Sequence, residues 1–334
     1  MNKLTAKDFK RGIRVVKSQL TDFDKYPVYQ NSLKPLGFYS KYNVKANTVF
    51  VICAGAAGDI GFSNKNFWAA DDCYYLETDK YVDSKFIYYY LLSIQNDIKR
   101  QVRQASVPRL GSDVLKSITL PSVSDNKQQE IVKILDSFTN LIDALNEELS
   151  LRQKQFEYYR EKLLNSNECS KTKKLQYFAK IMNGKDYKHL GKGQIPLMGS
   201  GGIMGYVDSY LYNKKSVLLS RKGSIDKVYY IEEPFWTVDT LYWTKIDEKK
   251  IIPKFLYYIL SSIHIENYAL NGGIPSMTQS ILYNIDVPYI DKDLQQSIVE
   301  KLDAFESLIS SLKEEIALRQ KQYEYYREKL LTFD

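Results

Sequence analysis

Residues 151–164 read LRQKQFEYYREKLL, and residues 318–331 read LRQKQYEYYREKLL. Thirteen of these fourteen positions are identical at an offset of 167 residues, which is half of the chain length of 334. The same offset relates residues 128–132 (QQEIV) to residues 295–299 (QQSIV). Self-similarity at a fixed offset indicates a duplicated structural unit. The chain is therefore predicted to be a tandem repeat, in which each half has a divergent body followed by a nearly unchanged tail.

The body that precedes each tail repeats more loosely, at offsets of 168 or 169. Residues 86–94 (FIYYYLLSI) match residues 255–263 (FLYYILSSI), and Phe67-Trp68 matches Phe235-Trp236. Both bodies contain short runs rich in β-branched and aromatic residues, followed by a helical stretch and a loop that enters a last strand. The runs predicted as strands are 47–53, 73–76, 216–220 and 227–231, and the predicted helices are 84–103 and 253–270. The fold class is therefore predicted to be α+β, with two similar globular domains.

Each tail has the residue spacing of a coiled-coil helix. Apolar or aromatic residues and one arginine recur alternately three and four positions apart, and neither 128–164 nor 295–331 contains Gly or Pro. The seam comprises Leu135, Phe138, Ile142, Leu145, Leu149, Arg152, Phe156, Tyr159 and Leu163, and its copy comprises Leu302, Phe305, Ile309, Leu312, Ile316, Arg319, Tyr323, Tyr326 and Leu330. A helix of about 35–40 residues is roughly 55 Å long at about 1.5 Å per residue.

The seam of one helix needs a partner, and the near-identical second helix is the simplest one. An antiparallel pair within the chain predicts a pseudo-twofold molecule with one body near each end. Two other arrangements stay open: plain scaffolding, and an intermolecular coil that dimerises the chain. The predicted domains are bodies at 1–124 and 167–291, and helices at 125–166 and 292–334.

The repeated helix segment is more polar and aromatic than a spacer requires. Arginine and tyrosine are enriched at protein–protein interfaces, and each copy has an arginine followed by two adjacent tyrosines. We therefore predict a docking surface for another protein. Its candidate residues are Arg152, Tyr158, Tyr159, Arg319, Tyr325 and Tyr326.

Composition excludes several classes of protein. With 44% hydrophobic and 26% charged residues and a mean hydropathy of −0.38, the chain is able to build cores and has no apolar run of the roughly 18 residues that cross a membrane. Its first residues resemble no signal peptide, so a cytoplasmic location is expected. Three cysteines without CxxC spacing exclude a disulfide framework and a cysteine zinc site. A net charge of +7 permits a polyanionic partner.

Two loops in each body carry side chains suited to nucleic acid. Residues 220–224 (SRKGS) combine two cations with a glycine that lets backbone amides approach a phosphate, whereas residues 53–58 (CAGAAG) at the corresponding place carry no cation. Arg, Asn, Gln and Ser have the donors and acceptors that read base edges. The candidate DNA contacts are Arg100, Arg103, Gln104, Ser106 and Arg109 in the first body, and Ser200, Arg221, Lys222, Ser224, Asn271, Ser276 and Gln279 in the second.

Catalytic motifs are missing from the sequence. There is no P-loop, no GxGxxG, HExxH or GxSxG motif, and no Asn/Asp-Pro-Pro-aromatic tetrad for methyl transfer to an amino group. Neither a catalytic centre nor a metal site is predicted in this chain.

Taken together, the tandem tails, the QQxIV segments and the VPRL and IPSM loops at 107–110 and 274–277 resemble one family, the specificity (S) subunits of type I restriction-modification systems. The resemblance covers essentially the whole chain. It implies that each body is a target recognition domain that reads one half of a bipartite, asymmetric site in double-stranded DNA. The two helices would then separate the domains and hold two methyltransferase (M) subunits.

The resemblance also implies where the chemistry lies. No cofactor would bind this chain, and the partner subunits would use S-adenosylmethionine, ATP and Mg, with restriction (R) subunits docking on the M subunits. Two other functions stay open. In the first, the chain serves a related enzyme that combines restriction and methylation in one polypeptide, and in the second it is a coiled-coil interaction scaffold.

Overall fold

The computed structural model describes residues 9–23, 25–77, 83–166, 169–223, 226–263 and 276–333, together with the backbone of residues 2–3. The chain divides into two compact units. One consists of Met1–Asn146 with Glu314–Asp334, and the other is Glu147–Lys313. Each unit thus contains one body, part of the first long helix and part of the second.

Within the residues that the structure describes, the first body has nine strands and three short α-helices. Its strands are β1 (Asn2–Lys3), β2 (Phe9–Arg11), β3 (Tyr26–Tyr29), β4 (Gly37–Tyr39), β5 (Thr48–Ile52), β6 (Ile60–Ser63), β7 (Trp68–Ala69), β8 (Cys73–Leu76) and β9 (Thr119–Leu120), and its helices are α1 (Ser84–Ser93), α2 (Gln95–Arg100) and α3 (Ser112–Ser117). The first long helix, α4 (Asp125–Leu164), follows.

The second body repeats this order within the residues that the structure describes. Its strands are β10 (Thr172–Lys174), β11 (Ala179–Asn183), β12 (Lys192–Gly199), β13 (Gly202–Val207), β14 (Ser216–Ser220), β15 (Val228–Ile231), β16 (Trp236–Thr237), β17 (Leu241–Ile246) and β18 (Asp286–Pro288), and its helices are α5 (Pro253–Ser262) and α6 (Gln279–Tyr283). The second long helix is α7 (Lys292–Leu331).

The strands of the two bodies pair in the same way. Each body has an antiparallel four-stranded sheet, ordered β2-β8-β5-β6 and β11-β17-β14-β15. Each also has a three-stranded sheet, ordered β4-β3-β7 and β13-β12-β16, in which one pair is parallel. In each body the first strand pairs antiparallel with the strand that precedes the long helix, which gives the short ribbons β1-β9 and β10-β18. The prediction of two similar α+β domains is confirmed.

One of the two inner strands of each four-stranded sheet is buried along its whole length. β5 (TVFVI) and β14 (SVLLS) have no exposed side chain, because both of their faces are covered by other parts of the body. Continuous apolar runs of this kind are typical of strands covered on both sides. This explains why these two strands were predictable from the sequence.

The predicted helix over 84–103 is wrong as a single element. It breaks at Ile94, and α2 begins at Gln95. The Ser93 hydroxyl donates to the carbonyl of Tyr90, which competes for a helical acceptor, and Gln95 turns away to donate to the carbonyl of Gly58. For the helix predicted over 253–270, α5 ends at Ser262, and residues 264–270 lie outside the described part of the chain.

The long helices pack antiparallel within each unit. In the first unit the ring of Phe138 stacks on that of Tyr326 at a centroid distance of 5.3 Å, and Ile131 clusters with Leu331. In the second unit Tyr159 stacks on Phe305 at 5.4 Å, and Leu164 shares a core with Leu302. Moving forward along α4 therefore means moving backward along α7, as the predicted pairing of their seams requires.

A buried glutamine fastens each body to its own long helix. Gln128 accepts a hydrogen bond from the backbone N–H of Asp83 at 2.9 Å and donates to the carbonyl of Val123 at 2.8 Å. Gln295 accepts from the N–H of Ile252 at 2.8 Å and donates to the carbonyls of Ile290 and Lys250. The first glutamine of each QQxIV segment thus bonds only to main-chain groups of the body. We name this arrangement the glutamine clasp.

A second polar contact lies about two turns further along each long helix. The buried Tyr258 donates to Asp303 at 2.6 Å, and Lys254 pairs with the same carboxylate at 2.8 Å. Tyr89 and Lys85 make the equivalent contacts with Asp136. Burial and, next, the hydrogen bond to the carboxylate raise the pKa of both tyrosines, so that they remain protonated donors.

We expect Gln295→Ala to lower the free energy of unfolding by about 2–4 kcal/mol, because it removes the partners of one buried N–H and two carbonyls. The neighbouring Gln296 is exposed and bonds to Glu300 on the same helix, so Gln296→Ala should change stability by less than about 0.5 kcal/mol. Urea denaturation of both variants checks this. Equal stability of the two variants would show that the clasp contributes nothing to folding.

Candidate nucleic-acid interface

The turn and the loop singled out in each sequence half are joined by the same backbone pairing. In the first body Ala54 bridges Arg109, and Leu110 donates to the carbonyl of Cys53 at 2.8 Å. In the second body Lys222 bridges Ser276, and Met277 donates to the carbonyl of Arg221 at 2.9 Å. The turn after β5 or β14 is therefore tied to the loop before α3 or α6. We call this duplicated feature the bridged turn.

A glycine shapes the bridged turn in both bodies. Gly55 and Gly223 have φ values of +80° and +83°, in the left-handed region that favours glycine. A Cβ on Gly55 would lie 2.8 Å from the carbonyl oxygen of Asn31, and one on Gly223 would lie 3.3 Å from the Ser200 hydroxyl. Both turns thus pack on the end of the three-stranded sheet, which fixes their position.

The bridged turns carry their cation on opposite segments. In the first body Arg109 stands on the loop and faces the uncharged Ala54, whereas in the second body Lys222 stands on the turn and faces Ser276. The sequence suggested that the first body lacks a cation here, since residues 53–58 are uncharged. Because Arg109 faces this turn, both bodies present one exposed cation at the same place in the fold.

The remaining candidates of the first body spread outward from Arg109. Arg103 exchanges two backbone hydrogen bonds with Arg109, at 2.9 and 3.1 Å, so these exposed arginines are directly opposite each other. Gln104 and Ser106 are exposed in the loop between them. Arg100 lies on α2, where it pairs with Asp97 at 2.9 Å. Structure thus brings Arg103 and Arg109 together and leaves Arg100 in a separate ion pair.

In the second body the bridged turn is supported by neighbouring polar groups. Arg221 donates to the carbonyl of Asp239 at 3.4 Å and lies over the ring of Tyr242. Ser200 is held at its carbonyl by the Tyr229 hydroxyl. Gln279 begins α6 and donates to the side chain of Asn183 at 3.3 Å. The candidates Ser224 and Asn271 lie outside the described residues, as does the Ile274-Pro275 part of the loop.

Sequence reasoning missed one residue at this surface in each body. Arg11 ends β2 and donates to the carbonyl of Asp71 at 2.8 Å, and Asn183 ends β11 at the equivalent position. Each precedes a glycine, Gly12 or Gly184, whose Cβ would collide with carbonyls of the neighbouring strand connection. That shared glycine is the sequence signal that could have aligned them. Both side chains are exposed.

The docking candidates on the long helices separate into three groups. Arg152 contacts Glu148 and Gln155 on its own helix, and Arg319 contacts Glu315 and Gln322 in the same way. Tyr159 and Tyr326 form the ring stacks between the helices described above. Tyr158 and Tyr325 each make an edge contact with the tyrosine that follows and keep 58% of their surface exposed.

Two features of the described residues bear on metal binding and on the reactivity of thiols. No cluster of three metal-ligating side chains occurs among them. Burial raises the pKa of the Cys53 thiol to about 12 and that of Cys73 well above its usual value, so neither is a ready nucleophile. Within the same residues no helix is both long and apolar enough to cross a membrane.

Comparison with known proteins links this geometry to a family. The family model described as type I restriction modification DNA specificity domain matches residues 7–151 and again residues 161–318. The specificity subunit of the type I restriction enzyme EcoR124I/EcoR124II from Escherichia coli is 31% identical over 297 residues, covering 75% of this chain and 70% of that protein. A Haemophilus influenzae protein with the provisional name of type I restriction enzyme specificity subunit is 29% identical over 354 residues, covering 95% and 91%.

The fold is also that of a solved relative. The crystal structure of a type I restriction-modification S subunit from M. genitalium matches with a TM-score of 0.74 at 22% identity, covering 98% of this chain and 94% of that one. The two matches of the family model fall on the two halves of the repeat. The chain therefore belongs to the family of type I restriction-modification specificity subunits and carries two copies of its DNA specificity domain.

Proposed function

We propose that the two bodies read the two different halves of a bipartite, asymmetric site in double-stranded DNA. The observation that carries this proposal is the bridged turn, which has the same backbone in both bodies and different side chains on it. A shared scaffold presents the reading groups at equivalent places, and different groups select different bases. The halves of the target should therefore differ in sequence, unlike those of a palindrome.

The side chains at each bridged turn suggest how the reading is done. Arg103 and Arg109 in the first body have the paired donors that recognise the edge of guanine, and Asn183 with Gln279 in the second has the amide geometry that recognises adenine. Each good bidentate contact discriminates by about 1–3 kcal/mol. The net charge of +7 supplies a salt-dependent attraction to phosphates in addition.

We further propose that the long helices bind two methyltransferase subunits, one on each unit. Each unit exposes an equivalent set of three apolar side chains on its helices. A helix that only separates the two bodies would not require such a set. In the first unit they are Leu141, Leu318 and Tyr325, and in the second Leu308, Leu151 and Tyr158. Because the sets are related by the repeat, the same partner surface fits both.

In this proposal the chain recognises DNA and the partner subunits react with it. S-adenosylmethionine would bind the methyltransferase subunits, and ATP and Mg would serve the restriction subunits that join them. The support from this chain is its architecture, in which both bodies present recognition loops and both helices present protein-binding surfaces. The catalytic activities are thereby assigned to other polypeptides.

The arginine and the lysine at the two bridged turns should act on different halves of the site. We expect Arg109→Ala to relax or change only the half-site read by the first body and Lys222→Ala only the other, each by about 1–3 kcal/mol at one position. Genome-wide mapping of methylated adenines in cells expressing each variant measures both half-sites and their spacing. Each variant is the matched control for the other. Uniform weakening of both half-sites by either variant would make that residue a phosphate contact.

The purified chain alone should neither methylate nor cleave DNA, whereas addition of its methyltransferase subunits should restore methylation. Transfer of labelled methyl groups from S-adenosylmethionine measures the first activity, and a plasmid nicking assay measures the second. The chain with partner subunits but without S-adenosylmethionine is the control. Methyl incorporation by the isolated chain would contradict the proposed division of labour.

A further inference from the structure

A groove lined by lysines lies on the second body, away from its bridged turn. It encloses about 330 Å³ and is bordered by Tyr177, Lys180, Lys245, Asp247 and Lys250 among others. We name it the lysine groove. It includes no residue that the sequence pointed to as a DNA contact, and the long-helix residues proposed to bind methyltransferase are not part of it.

Aromatic rings hold two ammonium groups beside the groove. The Nζ atom of Lys173 lies 3.9 Å from the ring centroid of Tyr177 and 4.2 Å from that of Tyr289. The Nζ atom of Lys250 lies 4.5 Å from the Tyr177 centroid and donates to the Tyr177 carbonyl at 3.2 Å. Such cation–π contacts position a flexible lysine without neutralising its charge. The cations are thus held ready for an anion.

Positive charge in the groove exceeds the negative charge that faces it. Asp247 pairs with Lys250 at 3.0 Å, whereas Lys173, Lys180 and Lys245 form no ion pair with any residue that the structure describes. Lys180 and Lys245 are direct partners across β11 and β17. Like charges directly opposite each other in a sheet are destabilising, so an anion between them would relieve the repulsion.

The first body has the opposite arrangement at the equivalent place. Tyr75 pairs with Phe50 in the first body as Trp243 pairs with Leu218 in the second, so Tyr75 and Trp243 are equivalent. Glu77 and Lys245 each lie two residues further along and are therefore equivalent as well. Glu77 forms an ion pair with Lys10, which lies opposite Tyr75 on the neighbouring strand. The position of Lys245 is therefore taken by an ion-paired carboxylate in the first body, so the positive charge at this position is a property of the second body.

The distance from the bridged turn matches the spacing of a few base pairs. Lys245 follows Leu241 by four residues, and Leu241 pairs with Ser220 at the beginning of the turn. Lys180 precedes Asn183 by three. At about 3.3 Å per residue the lysines lie about 10–13 Å along the strands from the reading surface. Because each strand of the duplex carries one phosphate per about 3.4 Å of the helix axis, this distance corresponds to three or four base pairs along that axis.

We propose that the lysine groove binds the phosphate backbone of the duplex beside the half-site read by the second body. This inference rests on the proposed function, since the same duplex must lie on the bridged turn. Duplex DNA is favoured over an acidic protein because the uncompensated ammonium groups line an open groove within reach of the strand already bound. The contact strengthens binding without reading sequence, because ammonium groups on phosphates carry no base information.

The test uses the assembled complex of this chain with its methyltransferase subunits. Lys245→Glu, and independently Lys180→Glu, should weaken binding to a duplex with the methylated site and to a random duplex by the same factor. The slope of log Kd against log salt concentration should become shallower by about 1. The methylated sequence should not change. Lys65→Glu alters an exposed residue of the first body by the same charge and is the matched control, for which no such effect is expected.

Two results would overturn the inference. Either Lys245→Glu and Lys180→Glu behave like Lys65→Glu, or they impair assembly with the methyltransferase while the assembled complex binds DNA normally, which would make the groove a protein-binding site. Failure of the proposed function looks different. In that case the unaltered complex itself would show no preference for the methylated sequence over random DNA.

Discussion

The glutamine clasp is the contact on which the rest of each unit depends. A sheet that carries a DNA-binding surface must be held at a fixed angle to the helix that supports it. Flexible loops alone do not fix that angle. Gln128 and Gln295 fix this angle by bonding to the N-cap residue of α1 or α5, Asp83 or Ile252. They also bond to the segment between the last strand of the body and the long helix. Because the amides are buried, water cannot replace these bonds at low cost.

The two bodies that the glutamine clasps hold share their backbone arrangement and differ in their side chains. Strand order, the bridged turn and its left-handed glycine are common to both. The exposed positions on that frame are not, as Arg109 against Ser276 and Arg11 against Asn183 show. Core side chains differ as well, since Phe50 and Tyr75 of the first body correspond to Leu218 and Trp243 of the second. The strand pairing is nevertheless the same, so binding preference can differ between the bodies while the fold is retained.

Features encoded by local sequence were the predictable ones. The heptad spacing of α4 and α7 and the apolar runs of β5 and β14 follow from residues close together in the chain. The repeat follows from comparison of the two halves, and the family resemblance followed from all of these features. The repeat also located the loops of the candidate site. The break at Ile94 was not predictable, because it depends on a hydrogen bond from Gln95 to Gly58, 37 residues away.

The reading surface depended even more on pairings between distant segments. That Arg109 faces Ala54, that Arg11 and Asn183 are equivalent, and that Lys180 faces Lys245 all follow from strand register, which composition does not reveal. Arg152 and Tyr159 show the reverse limit. Heptad spacing placed both residues in the seam. The i,i+4 spacing of Glu148 and Arg152 also predicts the bond along the helix, which is confirmed, but only the structure shows that Tyr159 stacks on the other helix.

The atoms that the clasp contacts have a consequence for exchange between proteins. Among the residues that the structure describes, each buried amide forms its hydrogen bonds with peptide N–H and C=O groups, and those groups are the same whatever the side chains are. A foreign body whose chain follows the same path would meet the same donors and acceptors. The clasp therefore depends on the backbone path of a body, whereas Asp136 and Asp303 also need the tyrosine and the lysine that the body supplies. A body with a different reading surface that keeps this path and these two side chains fits the same helix unchanged.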